Sequence, residues 1–331
     1  FKPSSLHVAF SEYSPINEQW VKVSGLEGNV IKSLALTSNG HLLIGSDNGV
    51  FDLYNNSLHH YRHDSRHEQT ISDNEIWCIY SDNNDNIWIG HQKGISIAAN
   101  TNIIKTRKLS AIFNTGEGNE IYSIFKDSKS NLWMGGTNGV IRLSENKAPQ
   151  WYLHSNNPKS LSHNRIRSID EDAEGNIWLS SDKGINRYNQ ISDNFDVFHI
   201  VDNNGRHNTN WVYSLEEDGA NFWVGSYLGG LHYISKSKFN GAGGTIIADQ
   251  SINVDNQKFN NIDVKLKNDF ISNVVRDSKG NIWILLFRDN SLIKLSPDDG
   301  CIEYDILKLT GGYPSFITTD FKDRLWCAFN G

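Results

Sequence analysis

The sequence has little of several things that catalytic, nucleic-acid-binding and membrane proteins usually carry. Among 331 residues there are only 3 cysteines and 6 prolines. Cys78, Cys301 and Cys327 are an odd number without metal-ligand spacing, so neither a disulfide framework nor a thiolate metal site is indicated. Cys78 and Cys327 fall in expected inner strands, where small buried hydrophobes are the plain reading. No apolar stretch reaches the roughly 18 residues of a membrane span, and the chain opens on Phe1 with neither Met nor a signal peptide. The expectation is a soluble, processed or excised fragment. With a net charge of -7 and no long run of Lys and Arg, the chain lacks the electrostatic footprint of a nucleic-acid partner. Helical periodicity is equally hard to find.

What remains is a sequence with 10 Trp, 12 Tyr, 15 Phe and 27 Gly, a composition suited to an all-β fold with many turns. One phrase recurs through it. It reads DNNDNIWIGHQKG from Asp82, DSKSNLWMGGTNG from Asp127, DAEGNIWLSSDKG from Asp172, DGANFWVGSYLGG from Asp218, DSKGNIWILLFRDN from Asp277 and DFKDRLWCAFNG from Asp320. A degenerate copy, TSNGHLLIGSDNG, starts at Thr37. The column Leu43, Trp88, Trp133, Trp178, Trp223, Trp283 and Trp326 advances by 45, 45, 45, 45, 60 and 43 residues. Repeats of about 40 to 50 residues made of short strands and turns predict a β-propeller with one four-stranded blade per repeat.

The fourth repeat shows how the blade is expected to form. Residues 164–169 alternate as an innermost strand, the chain turns at 172–176, and 177–180 returns as the second strand. Residues 184–188 and 194–198 supply the third and the outer strand. The Trp of the second strand is expected to fill the wedge between neighbouring blades, where a large flat side chain buries about 150 to 250 Å². The Asp opening each phrase is read as a turn cap, since a catalytic acid is not needed six times.

The spacing predicts a single domain over 1–331: a seven-bladed β-propeller with four-stranded antiparallel blades, its ring closed by N- and C-terminal strands in one blade. Strand-like pieces at 6–10 and 19–23 would complete the last blade, shared between about 5–24 and 315–329. The long interval predicts an insertion in the fifth blade at about 235–265. There, 239–244 (FNGAGG) suggests an inserted hairpin or mobile loop.

The repeat pattern, with linkers such as Tyr61-Arg62-His63 through Ile71-Ser72-Asp73-Asn74 and Tyr152-Leu153-His154 through Ser160-Leu161-Ser162-His163-Asn164, resembles the periplasmic propeller repeats of two-component regulators. These are best known in hybrid sensor kinases that detect polysaccharide breakdown products. The resemblance covers nearly the whole chain. It implies a periplasmic sensor domain with no chemistry of its own, preceding a transmembrane helix and a cytoplasmic histidine kinase or other output in the full protein. No cofactor or metal is implied, membrane attachment would come only through segments absent from this chain, and any homodimer would form through the full receptor.

In such a fold the linkers between blades and the turns between second and third strands surround one mouth of the central channel. The linker column holds Asn29, Asn74, Asn119, Asn164, Asn210 and Asp269. One strand step inward come Lys32, Trp77, Tyr122, Arg167 and Tyr213. The turns add His91, Lys93, Asp182, Lys183, Tyr227, Arg288 and Asp289. Rings flanked by amides and cations suit a small carbohydrate ligand, neutral or anionic: ring faces for C–H surfaces, amides for hydroxyls, Arg for a carboxylate or sulfate. The expected ligand-binding residues are therefore Lys32, Trp77, His91, Lys93, Tyr122, Arg167, Lys183, Tyr213, Tyr227 and Arg288. A second reading stands beside this one, in which the Asn column caps loop backbone and Trp77 and Tyr122 pack between blades.

No catalytic residues are assigned. A streptogramin-inactivating or glycan lyase uses a similar fold but needs an acid and base at the mouth; His91, His163 and Tyr227 could be cast, yet nothing pairs them. A protein-interaction scaffold is the third reading. The histidines at 59, 60, 63 and 67 do not share one face of a strand, which argues against a metal site.

Overall fold

In the computed structural model, residues 10–14, 19–67, 69–82, 84, 86–99, 103–107, 120–205, 210–287, 289–310, 313–319 and 324–330 are described. The chain divides into two compact units, one of residues 29–177 and one of residues 1–28 with 178–331.

The first unit contains three four-stranded antiparallel meanders in chain order. They are Ile31–Leu36 to Ser57–Tyr61, Ile76–Ser81 to Ile103–Arg107, and Ile121–Lys126 to Gln150–Tyr152. The strand Ile166–Glu171 follows. The second unit holds two further four-stranded sheets, Val212–Asp218 through Gly230–Ser235 with Gln250–Ile252, and Ile271–Arg276 through Gly300–Asp305. It also holds a sheet made from both chain ends, ordered Gln19–Val23, Phe10–Ser14, Leu325–Asn330, Tyr313–Thr319. The expectation had placed the first N-terminal strand at 6–10; it runs Phe10–Ser14, and residues 6–9 lie outside the described residues. The repeated meander is the blade of an all-β propeller.

Six sheets are four-stranded, one short of the seven four-stranded blades that the spacing predicts. The sheet through Gly184–Asn189 has five strands, because Gly244–Ile247 adds in parallel to Asn194–Val201. That strand comes from the long repeat, where a hairpin or a mobile loop was expected; the segment Gly244–Ile247 is a paired strand, and a hairpin lies further on at 258–263. A short 3-10 turn, Lys236–Phe239, buries Phe239 to 1% exposure against Trp178, Phe198 and Phe222, at ring distances of 5.3, 5.1 and 5.6 Å. The Arg187 guanidinium then donates to the carbonyls of Phe239 and Gly241 at 2.6 and 2.9 Å. A two-stranded hairpin at 258–263 sets Phe259 on Trp223 and Tyr233, at 4.7 and 5.2 Å. The insertion is core and edge cover, since it buries aromatic surface and pairs an otherwise open strand.

Burial falls from the inside of a blade outward. The second strands Leu42–Ser46, Leu132–Gly136 and Ile282–Leu286 are buried at every residue, whereas Ser57–Tyr61 is exposed along most of its length. Strands covered on both faces read as continuous apolar runs rather than alternating ones, which is why the phrase shows Ile-Trp-x without a polar break. The Gly two residues after Trp88, Trp133 and Trp223 has its own reason. A Cβ on Gly90 would lie 2.5 Å from Cys78 Sγ, and one on Gly135 2.7 Å from the Ile166 side chain, so the strand must lack a side chain there.

The repeated Asp does more than cap its turn. Asp127 Oδ1 accepts from the backbone N–H of Lys129 and Asn131, and Oδ2 accepts from the Asn131 amide and the Trp133 indole at 2.7 and 2.9 Å. Asp277 binds Trp283 at 3.1 Å and Asp218 binds Trp223 at 3.2 Å in the same way. One carboxylate thus satisfies both the turn and a buried indole N–H, which couples the two columns of the motif. The column was expected to be uniformly buried, and five of its six Trp are at most 4% exposed. Trp88 is only half-buried. Opposite it on the third strand stands Ile97, where Trp133, Trp178, Trp223 and Trp283 face Arg142, Arg187, Tyr233 and Lys294, whose longer side chains cover the indole.

Candidate functional site

The innermost strands share an irregularity that positions the candidate side chains. Pairing to the second strand slips between residues 31 and 33, 76 and 78, 121 and 123, 212 and 214, and 271 and 273. Each slip is a β-bulge that leaves one residue without a cross-strand partner: Lys32, Trp77, Tyr122, Tyr213 and Ser272. A bulge re-aims the side chain of the extra residue, a device found next to binding and active sites. A variable column of the repeat is therefore also one that the backbone holds out of register.

In the unit 29–177 this column forms a row in which two neighbouring rings are flanked by two cations. Lys32 Nζ lies 3.7 Å from the centre of the Trp77 ring. Trp77 meets Tyr122 edge to face at 5.4 Å, and the Arg167 guanidinium sits 5.9 Å from the Tyr122 ring. Such contacts hold cations over ring faces in fixed places. Carboxylates tune both ends, with Glu75 ion-paired to Lys32 and Glu120 accepting from the Tyr122 hydroxyl. Burial, then the Glu120 bond and charge, push the Tyr122 phenol up to about 12, so it stays protonated and donates. The Trp77 indole N–H is shielded from solvent and finds no partner among the described residues.

In the unit 1–28 with 178–331, Tyr213 and Tyr227 belong to a cluster of five rings. Tyr213 stacks with Tyr227 at 6.3 Å and meets Phe270 at 5.1 Å. Tyr227 contacts Trp211 at 4.8 Å and Phe270 at 4.2 Å, and Phe270 contacts Phe287 at 4.4 Å.

The turn residues divide differently from the expectation. His91 is fully buried: its Nε2 lies 2.8 and 3.2 Å from the hydroxyls of Ser72 and Ser96, and its Nδ1 accepts from the Lys93 backbone N–H at 3.2 Å. With both ring nitrogens engaged inside the protein, it is a turn residue rather than a ligand contact. It replaces Ser46, Ser181 and Ser226, whose hydroxyls donate across the same turn to the carbonyls of Gly49, Gly184 and Gly230. Lys93 and Lys183 are exposed, Lys93 within 3.4 Å of Asp73. Arg288 lies outside the described residues.

The linker amides act on backbone. Asn74, Asn164 and Asn210 accept from the N–H of His63, His154 and Ile200 through Oδ1, and their carbonyls accept from Gly49, Gly139 and Gly184. This is the capping reading of that column. His60 and His63 bond the carbonyls of Asn48 and Ile71, and His67 pairs with Asp64. No group of His, Cys, Asp or Glu among the described residues is placed to hold a metal ion. Sequence reasoning missed Glu75, Glu120, Trp211, Phe270 and Phe287. All but Phe287 directly follow the linker Asn/Asp column, and their departure from residue to residue along it was the available signal.

Three segments of the chain, 70–93, 115–138 and 160–183, are two-component regulator propeller repeats. The chain is similar to the extracellular domain of BT4673 from B. thetaiotaomicron, described as a hybrid two-component system, with 37% identity over 97% of this chain and a TM-score of 0.61. A second structure of that domain, described as part of a one-component system, gives 36% identity over 96% of the chain and a TM-score of 0.60. The chain spans about 44% and 43% of those two relatives. Virginiamycin B lyase from Staphylococcus aureus shares the fold, with a TM-score of 0.65 at 13% identity over 91% of this chain and 94% of the lyase. No curated protein matches the chain. Among the described residues, no helix is long and apolar enough to cross a membrane.

Proposed function

We propose that this chain is the extracytoplasmic sensor propeller of a two-component receptor, and that it binds an oligosaccharide without consuming it. The observation that carries this reading is the row Lys32, Trp77, Tyr122, Arg167, two rings flanked by two cations, of which Lys32, Trp77 and Tyr122 are held out of register by bulges. Sugars offer apolar C–H faces to rings and hydroxyl or carboxylate oxygens to cations, so rings flanked by cations match their chemistry. The relatives' location outside the cell accords with it, and a periplasmic position, a kinase output and dimerisation through the full receptor belong to the same proposal.

A lyase is less well supported. Tyr122 with its pKa near 12 is no base near neutrality, and His91 is enclosed. The cluster Lys267, Ser291 and Glu303 has the residue types of a serine–lysine pair. However, the bond to Glu303 raises the Lys267 pKa and keeps the amine protonated, unable to take the Ser291 proton.

The test is calorimetric titration with neutral and acidic oligosaccharides such as cellotetraose and tetragalacturonate, followed by mass analysis of the recovered sugar. Arg167→Ala should weaken an acidic sugar by about 1.5 to 3 kcal/mol, and a neutral one much less, if the guanidinium makes a charge-assisted hydrogen bond. Trp77→Ala should weaken both alike, since a ring face reads surface rather than charge. Cleaved sugar would move the protein to the lyases, and affinity indifferent to both changes would place the site elsewhere.

A further inference from the structure

The ring cluster of the unit 1–28 with 178–331 has an internal control in the other repeats. At the turn between second and third strands, one backbone N–H reaches back to the carbonyl at the start of the innermost strand: Asp47 to Val30, Thr137 to Glu120, Tyr227 to Trp211 and Phe287 to Phe270, at 2.8 to 3.1 Å. In the repeats of Asp47 and Thr137 the side chain at the turn reinforces the link. Asp47 Oδ1 accepts from the Val30 N–H at 2.9 Å, and Thr137 Oγ1 from the Glu120 N–H at 3.1 Å. In these repeats the turn position is thus filled by a small polar residue and neither position by a ring. In the repeats of Trp211 and Phe270 the same positions carry four rings instead.

Those rings are not simply core. Trp211 is 45% exposed, Phe287 43%, and the adjacent Leu228 60%. Leu228 also has φ of 62°, whereas the other described non-glycine residues with positive φ are Asn, Asp or Ser. A leucine there is strained, because its Cβ crowds the backbone in that region and no polar side chain compensates. Exposed apolar surface and local backbone strain together, at positions where the fold accepts Asp or Thr, mark a binding surface.

We infer that Trp211, Tyr227, Phe270 and Phe287, with Leu228 at their rim, form a stacking platform for a pyranose ring of an oligosaccharide. This rests on the sensor reading above and adds a second place of contact to it. The platform reads the C–H face of the sugar ring and is indifferent to its charge, since stacking depends on apolar area and ring geometry.

The repeats themselves supply the test. The double change W211E and Y227T installs the Glu120 and Thr137 pair of another blade, so the variant should fold with a melting temperature close to that of the wild type; W211E alone is the milder companion. Both should bind cellotetraose and tetragalacturonate about tenfold more weakly or worse. In protein labelled with fluorotryptophan, the Trp211 resonance, assigned by its loss in W211F, should shift as either sugar is added. If the wild type binds sugar and both variants bind it equally well with the Trp211 resonance still, the platform is wrong and the sensor reading stands. If no sugar in the panel binds the wild type, both fall. A sugar affinity untouched by these changes, alongside a protein partner lost by them, would assign the surface to protein contact and overturn the inference.

Discussion

Trp178→Ala is expected to cost about 3 to 5 kcal/mol of stability, because it empties the centre of an aromatic core. The indole is 3% exposed and packs against Phe198, Phe222 and Phe239 at 6.3, 5.1 and 5.3 Å. Arg187 lies 5.8 Å from its ring and is itself fixed by Asp196 at 2.8 Å and by two carbonyls of the insertion. The surrounding rings are held from three directions and cannot collapse into the space, which puts the cost at the upper end of a large-to-small change. Urea unfolding of wild type, Trp178→Ala, Phe239→Ala and the double variant should show the two changes to be non-additive, since both open one cavity. A loss under about 1 kcal/mol for Trp178→Ala would contradict this account of the core.

Acid should weaken the fold through His91 by about 3 kcal/mol. Burial lowers its pKa from 6.5 to about 4, with Asp73 opposing that shift and Lys93 and His63 adding to it. The unfolded chain takes a proton at 6.5, while the folded one resists until about 4. Between those values the unfolded state holds more protons, so stability falls as pH falls across that window and changes no further below it. At 1.36 kcal/mol per pH unit the span corresponds to about 3 kcal/mol. His91→Ser restores the residue found at 46, 181 and 226, whose hydroxyl makes the turn bond without titrating. Unfolding free energies at pH 7.5 and pH 4 should therefore differ less in His91→Ser than in the wild type. Equal acid sensitivity in both proteins would show that His91 is not the group responsible.

The blades were legible in the sequence because their requirements repeat. A Trp at intervals near 45 residues and a turn-forming Asp before it are imposed by contacts that recur from blade to blade. What does not repeat left a fainter trace. The insertion read as either a hairpin or a mobile loop because FNGAGG is rich in glycine, yet Phe239 anchors it and Gly243 is there for a close approach: with φ of 103°, its Cβ would stand 2.7 Å from the Val197 carbonyl oxygen. His91 looked like a ligand contact because a buried and an exposed turn histidine read identically in one dimension. The candidate column Lys32, Trp77, Tyr122, Arg167 was visible as departures from the repeat, but the bulges that aim Lys32, Trp77 and Tyr122 were not, since a bulge adds one residue without a signature of its own. Glu75 and Glu120 are one or two residues away from their partners' columns, and only the pairing geometry shows that they act on Lys32 and Tyr122.

The sheet made from both chain ends has a consequence for the order of events during synthesis. Phe10 stands opposite Ala328, so one ladder joins residues from nearly the whole length of the chain. Leaving the ribosome at about 5 to 20 residues per second, Phe10–Ser14 emerges early and cannot find its partner until Leu325–Asn330 has been made. The local meanders can form as each repeat appears, whereas this sheet must wait and then overcome the entropy of a very long loop. Until that ladder closes, the strands Phe10–Ser14 and Gln19–Val23 present unpaired backbone to any neighbour.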